Sequence, residues 1–168
     1  MALVDLKDVT MKIKDGTSPI PNELIIKIGE GNIQWTEAQN MDYKLDKGKL
    51  DTVRQGDEVP LEISFDLQWE EITGGSATGA PPSAEDALKQ IGNASGWVTS
   101  ATDICEPYAV DLEIFFDIPC ANGVVEDETL TFSDFRWESL AHDVQGAQIS
   151  VSGKCNILRP AVLKSISV

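Results

Sequence analysis

The chain has 168 residues and a formal net charge of −15. That is one domain with room for a real core, and a surface that repels the phosphates of nucleic acids and anionic membranes. No run of about 18 apolar residues exists to span a bilayer, and MALVDLKDVTMKIKD carries acids where a signal peptide would be basic and then apolar, so the expected compartment is a cytoplasm, with no membrane partner.

In chain order, the first period-two alternation is VTMKIK, with Val9, Met11 and Ile13 on one face. ELIIKI (Leu24, Ile26, Ile28) and NIQWTE (Ile33, Trp35) repeat it, and each predicts a short strand. Residues 44–58, KLDKGKLDTVRQGDE, break the pattern and are too long for a hairpin turn. They hold four bases (Lys44, Lys47, Lys49, Arg54) and four acids (Asp46, Asp51, Asp57, Glu58), so this segment is neutral while the rest of the chain carries the whole −15. A solvated tip would explain the charges but not the interleaved Leu45, Leu50 and Val53, and we read the segment as a long protruding β-hairpin loop.

LEISFDLQWEEI is the strongest strand signal: Leu61, Ile63, Phe65, Leu67 and Trp69 point one way, and Glu62, Ser64, Asp66, Gln68 and Glu70 the other. TGGSATGAPPS then leads into the one expected helix. Ser83 is its N-cap with Asp86 three residues on, Ala84, Ala87, Leu88 and Ile91 follow at helical spacing, and Gly92 is the stop. About two turns long, that helix needs a sheet to pack on. Residues 73–106 are thus a helix-containing insertion within a single domain, 1–168, and Trp97 either seats it or packs on a neighbouring subunit.

VDLEIFFDI alternates again, with Val110, Leu112, Ile114, Phe116 and Ile118 against Asp111, Glu113, Phe115 and Asp117. In TLTFSDFRWE the apolar phase switches from Leu130 and Phe132 to Phe135 and Trp137, which predicts a bulge near Ser133 and Asp134. AQISVSGKCNI puts Ala147, Ile149, Val151, Gly153, Cys155 and Ile157 on one face, and RPAVLKSISV adds a last strand. The expected fold is mainly β: seven or eight strands in an antiparallel β-sandwich or partly closed barrel with one short α-helix.

Catalytic constellations are missing. His142 is the only histidine and reads as a surface turn residue, and GNASG is not the GxSxG elbow that exposes a nucleophile. The many acid pairs would suit a paired-carboxylate hydrolase, but they are the regular polar positions of amphipathic strands. No spaced calcium loop or phosphate loop occurs, so no enzyme, metal or cofactor is expected. Cys105, Cys120 and Cys155 form no CxxC pair and read as reduced structural thiols. Trp35, Trp69 and Trp137 read as core or interface anchors.

What remains is surface. A sandwich has edge strands that invite pairing with another chain, and identical copies pairing head to tail form a ring if the rotation closes. A lumen walled by acidic strand faces would let a polyanion pass without sticking.

The run LKDVTMKIKDGT, then ELIIKIGEGNIQWTE, LDKGKLDTVRQGDEVP and LEISFDLQWEEIT resembles, over residues 6–73, the major tail tube proteins of long-tailed bacteriophages. The resemblance implies a β-sandwich with a flanking helix and hexameric rings stacked into a tube, working in the virion tail after assembly in the host bacterial cytoplasm. It also implies partners at the tube's ends and inside it: tail terminator, tape measure, and baseplate or tip proteins, with DNA passing transiently. Residues 44–58 become the stacking loop, with Lys44, Leu45, Lys47, Lys49, Leu50, Val53, Arg54, Asp57 and Glu58 as contacts. Glu62, Asp66 and Glu70 become lumen candidates, as do Asp111, Glu113 and Asp117 if their strand belongs to the inner sheet. The insertion matches the family poorly, which leaves its place on the outer surface or between subunits. Competing readings are a tail terminator or secretion-type tube subunit, and a carbohydrate-binding adhesive β-sandwich with exposed tryptophans.

Overall fold

The computed structural model describes residues 9–26, 28, 33–68, 81–116 and 125–167. They form β1 (Val9–Lys14), β2 (Glu23–Ile26), β3 (Ile33–Thr36), β4 (Met41–Asp46), β5 (Lys49–Gln55), β6 (Leu61–Gln68), α1 (Ala84–Lys89), β7 (Val110–Phe116), β8 (Val125–Asp143), β9 (Gln148–Cys155) and β10 (Ala161–Ser167). The protein is mainly β, and among the described residues there is one short α-helix and every strand pairing is antiparallel. Ten strands are described where seven or eight were expected, because the charged segment is itself two strands, β4 and β5. Trp69, Glu70, Asp117, Ile118, Cys120 and the Gly-rich lead-in at 73–80 lie outside the described residues.

Eight strands share one sheet, in the order β2-β1-β7-β8-β9-β6-β3 with β10 also on β8. The 19-residue β8 joins its two halves: its first part pairs with β7 and β10, and its second with β9. Between them lies the expected bulge. Leu112 faces Phe132 and Val110 faces Phe135, so Ser133 and Asp134 together oppose Asp111 alone. Asp134 takes a left-handed φ of 57°, and its N–H donates to Asp111 Oδ1 at 3.1 Å. The extra residue resets the alternation, so Phe132 and Phe135, three apart, are both buried.

A bulged strand bends, and the sheet folds over it into two layers, β2-β1-β7-β8-β10 and β8-β9-β6-β3. Trp35 on β3 stands edge-on to Phe132 on β8 with ring centroids 5.4 Å apart, although β9 and β6 separate their strands. In a flat sheet three strand steps would hold them about 14 Å apart. The core fills the fold: Met11, Ile13, Leu112, Ile114 and Phe132 from one layer meet Leu61, Ile63, Phe65, Leu67, Ile149 and Val151 from the other.

The described part of the insertion completes this core rather than decorating the outside. Ala87, Leu88, Ala94 and Trp97 belong to the buried cluster, which identifies Trp97 as the residue that seats it. Ser83 Oγ accepts from the Asp86 N–H at 3.3 Å, as the capping pattern requires. The stop differs from expectation: Gln90, not Gly92, takes the left-handed cap position (φ 57°). Its side chain explains the choice, because Nε2 donates to the Trp97 carbonyl at 2.6 Å and so closes the helix onto the following loop. Tyr108 OH donates to the Ala87 carbonyl at 2.9 Å.

His142 is exposed, as expected, but it is not a turn residue. It lies in β8, paired with Ile149, and its Nε2 is 3.3 Å from Glu85 Oε2, so it ties the helix to the sheet. Burial works to raise the Glu85 pKa, but the Lys89 ammonium at 2.5 Å and His142 hold it below the ordinary carboxylate value. Ala147 and Ile157, expected on the β9 face, fall outside that strand; Ala147 is an exposed turn residue with φ 49°. Cys155 is buried and its thiol is pushed up to about 12 by that burial and by Asp111 and Asp134, whereas Cys105 is exposed; both are free.

Asp15, only 3% exposed, closes the layer edge next to the insertion. Its carboxylate accepts from Thr17 N and Oγ1 (3.1 and 2.6 Å), from Asn22 N and Nδ2 (both 2.7 Å) and from Val98 N at 3.2 Å. Burial alone would raise its pKa; these donors outweigh it and leave the group below its ordinary value. Asp15 therefore contributes stability that is present above its unfolded-state pKa and lost as pH falls through the lower folded one. We expect Asp15→Ala to cost about 3 kcal/mol or more by stranding several donors. Urea titrations should show the deficit at pH 7 and its shrinkage toward pH 3; an equal deficit at both would refute the assignment.

Candidate functional site

The segment expected to be a long protruding β-hairpin loop is a β-hairpin, a two-stranded arm, β4 and β5, with a two-residue turn. Lys47 (φ 50°) and Gly48 (φ 80°) supply the paired positive φ values of a type I′ hairpin turn, and glycine meets this at no steric cost. Asp51 is extra: Lys44 faces Thr52 and Leu45 faces Leu50, so the register shifts there. As in β8, the bulge resets the phase. Leu50 and Val53, three apart, join Met41, Tyr43 and Leu45 on one face, while Asp42, Lys44 and Asp46 with Arg54, Thr52 and Lys49 share the other.

Every residue of both arm strands is exposed. Tyr43 is 65% exposed, Leu45 63%, Leu50 76% and Val53 56%. An isolated two-stranded ribbon is marginal in water, and a contiguous apolar face of this kind marks a contact surface. Asp57 and Glu58 lie past the end of β5, not on the arm: they line a cleft of about 380 Å³ at its root, with Glu37, Val59, Leu158 and Arg159.

The lumen candidates fall on two different surfaces. Glu62 and Asp66 stand on the outward face of β6, among Gln34 of β3, Ser139 of β8 and Ser150, Ser152 and Lys154 of β9. Lys154 Nζ lies 3.7 Å from Glu62 and 3.9 Å from Glu138, so this face is hydroxyl-rich and mildly acidic. Asp111 and Glu113 point outward from β7, in the other layer. Both layers turn their apolar faces to one core, so these outward faces look in opposite directions, and no single wall holds both sets.

The β7 acids are also engaged. Lys14 Nζ is 2.5 Å from Glu113 and 3.3 Å from Glu23. Burial pulls the Lys14 pKa down, but the two carboxylates more than offset that and leave it raised; the Lys14 hydrogen bond likewise lowers Glu23. Asp111 is half-buried at the bulge, and that burial raises its pKa. Exposed Ile25 and Leu163 share this outer face. Glu70 and Asp117 lie outside the described residues.

Among the described residues no group of three or more His, Cys, Asp or Glu is placed to hold a metal ion, and no helix is long and apolar enough to cross a membrane. No family model matches the chain, and no curated protein matches it.

Proposed function

We propose that the chain is a structural subunit of a bacteriophage tail tube, assembling into stacked hexameric rings whose lumen conducts DNA. The observation that carries this reading is the arm: an amphipathic ribbon whose apolar face touches nothing in its own subunit's core. Such a face is stable only when covered, and identical subunits cover it in a repeating structure.

The lumen wall in this proposal is the four-stranded layer β8-β9-β6-β3. Its outward side carries Glu62, Asp66, Ser64, Ser150 and Ser152, a polar surface whose cations among the described residues, Lys154 and Arg136, are each paired with acids. β3 ends this layer on one side. On the other, β8 runs on past Phe135, where its pairing with β7 stops. Joining β3 of one copy to the distal part of β8 in the next would continue the wall around a ring. Asp111 and Glu113 then face outward, away from DNA.

Negative-stain electron microscopy of the purified protein tests the proposal. Long hollow tubes with a regular axial repeat are expected; uniform small particles at every concentration would overturn it.

A further inference from the structure

The sequence reads residues 44–58 as neutral, but the fold separates their charges. The arm end, Lys44 to Lys49, carries three bases against one acid. Asp57 and Glu58 stay behind at the root, where Glu37 joins them against the single Arg159. Strand rise puts the two ends roughly 20 Å apart. The arm is therefore polarised, with a basic tip and an acidic root.

The chemistry of the two ends also matches. Beside its lysines, the tip exposes Leu45 and Leu50. The root cleft lines its acids with Ala38, Val59 and the half-exposed Leu158, and its volume of about 380 Å³ suits a pair of side chains. A tip cannot reach its own root, since the extended ribbon holds them apart. It can reach the root of another copy.

We infer that the arm tip of one subunit docks in the root cleft of a second copy of this chain, with Lys47 and Lys49 against Glu37, Asp57 and Glu58, and Leu45 and Leu50 against Val59 and Leu158. The contact is heterologous: each copy offers one tip and one cleft. It therefore propagates along an axis instead of closing as a dimer. In a chain of net charge −15, whose copies otherwise repel, the basic tip sets the orientation in which they approach. This inference rests on the stacking role proposed for the arm and names the surface that receives it.

A charge-reversal exchange tests it by sedimentation velocity. One variant carries Lys47→Glu and Lys49→Glu; the other carries Glu37→Lys, Asp57→Lys and Glu58→Lys. All five positions are exposed, and circular dichroism checks that the fold is kept. Each variant alone is expected to associate at least roughly tenfold more weakly than the unaltered chain, because like charges then meet. An equimolar mixture should regain assembly, since each acidic tip finds a basic cleft and each basic tip an acidic one. Assembly of either variant at the unaltered level, or a mixture that stays dissociated, would overturn tip-to-cleft docking and leave the tube reading standing. An unaltered chain that stays monomeric throughout would overturn both.

Discussion

Leu50→Ser with Val53→Ser should give a folded subunit that no longer assembles. Both side chains stand on the apolar face of the arm and neither belongs to the core cluster. Removing them therefore takes nothing from the core and only cross-strand contacts with Leu45 and Tyr43 from the folded monomer, and its unfolding midpoint should stay within about a degree or two of the unaltered chain. If both are covered on assembly, their loss costs about 3 kcal/mol per contact, which weakens each association roughly a hundredfold. Surface ion pairs contribute only about 0–1 kcal/mol, so in the proposed docking the flanking lysines would direct the approach while the leucines and valine would hold it. Electron microscopy beside a thermal melt reads both sides of the claim. Normal tubes from a normally folded variant would remove the arm from the assembly mechanism.

Gly153→Ala should produce a large loss of fold stability for a single added methyl group. A Cβ at this position would stand 2.2 Å from the Arg136 carbonyl oxygen and 2.8 Å from the Phe135 ring. Backbone cannot yield as a flexible side chain does, because β8 and β9 are paired on both sides of the contact. Overpacking of this kind costs about 3 kcal/mol, and for a domain of this size that corresponds to roughly 6–12 °C in Tm. Gly96 is the control, since a Cβ there meets nothing within 4 Å. Equal melts for Gly153→Ala and Gly96→Ala would show that β8 and β9 do not approach each other at Gly153 as described.

The strands were legible because half-burial writes itself into the chain at period two. In LEISFDLQ, Leu61, Ile63, Phe65 and Leu67 are all buried. The bulge at Ser133 and Asp134 was legible for the same reason, since Phe132 and Phe135 cannot share a face without an extra residue between them. The identical signature in the arm was missed. Leu50 and Val53 are also three apart with a bulge between, but no alternating neighbours set the phase, and a ribbon that adds no residue to the described core leaves no burial pattern to read. His142 was misplaced because its constraint is Glu85, 57 positions away. Asp15 gave no signal, as a buried aspartate and a surface one look alike until the donors of Thr17, Asn22 and Val98 converge.

Sequence by itself determined which segments outside the arm are strands, which side of each is apolar, where the helix begins and where β8 bulges, because these follow from side-chain alternation and local hydrogen bonding over a few residues. Only the tertiary structure decided that the bend in β8 folds the sheet into two layers, and hence that Glu62 and Asp66 look away from Asp111 and Glu113. It also decided that the neutral segment 44–58 has a basic tip and an acidic root. Facing and charge separation are relations between residues distant in the chain, set by strand pairing, and no local periodicity encodes them.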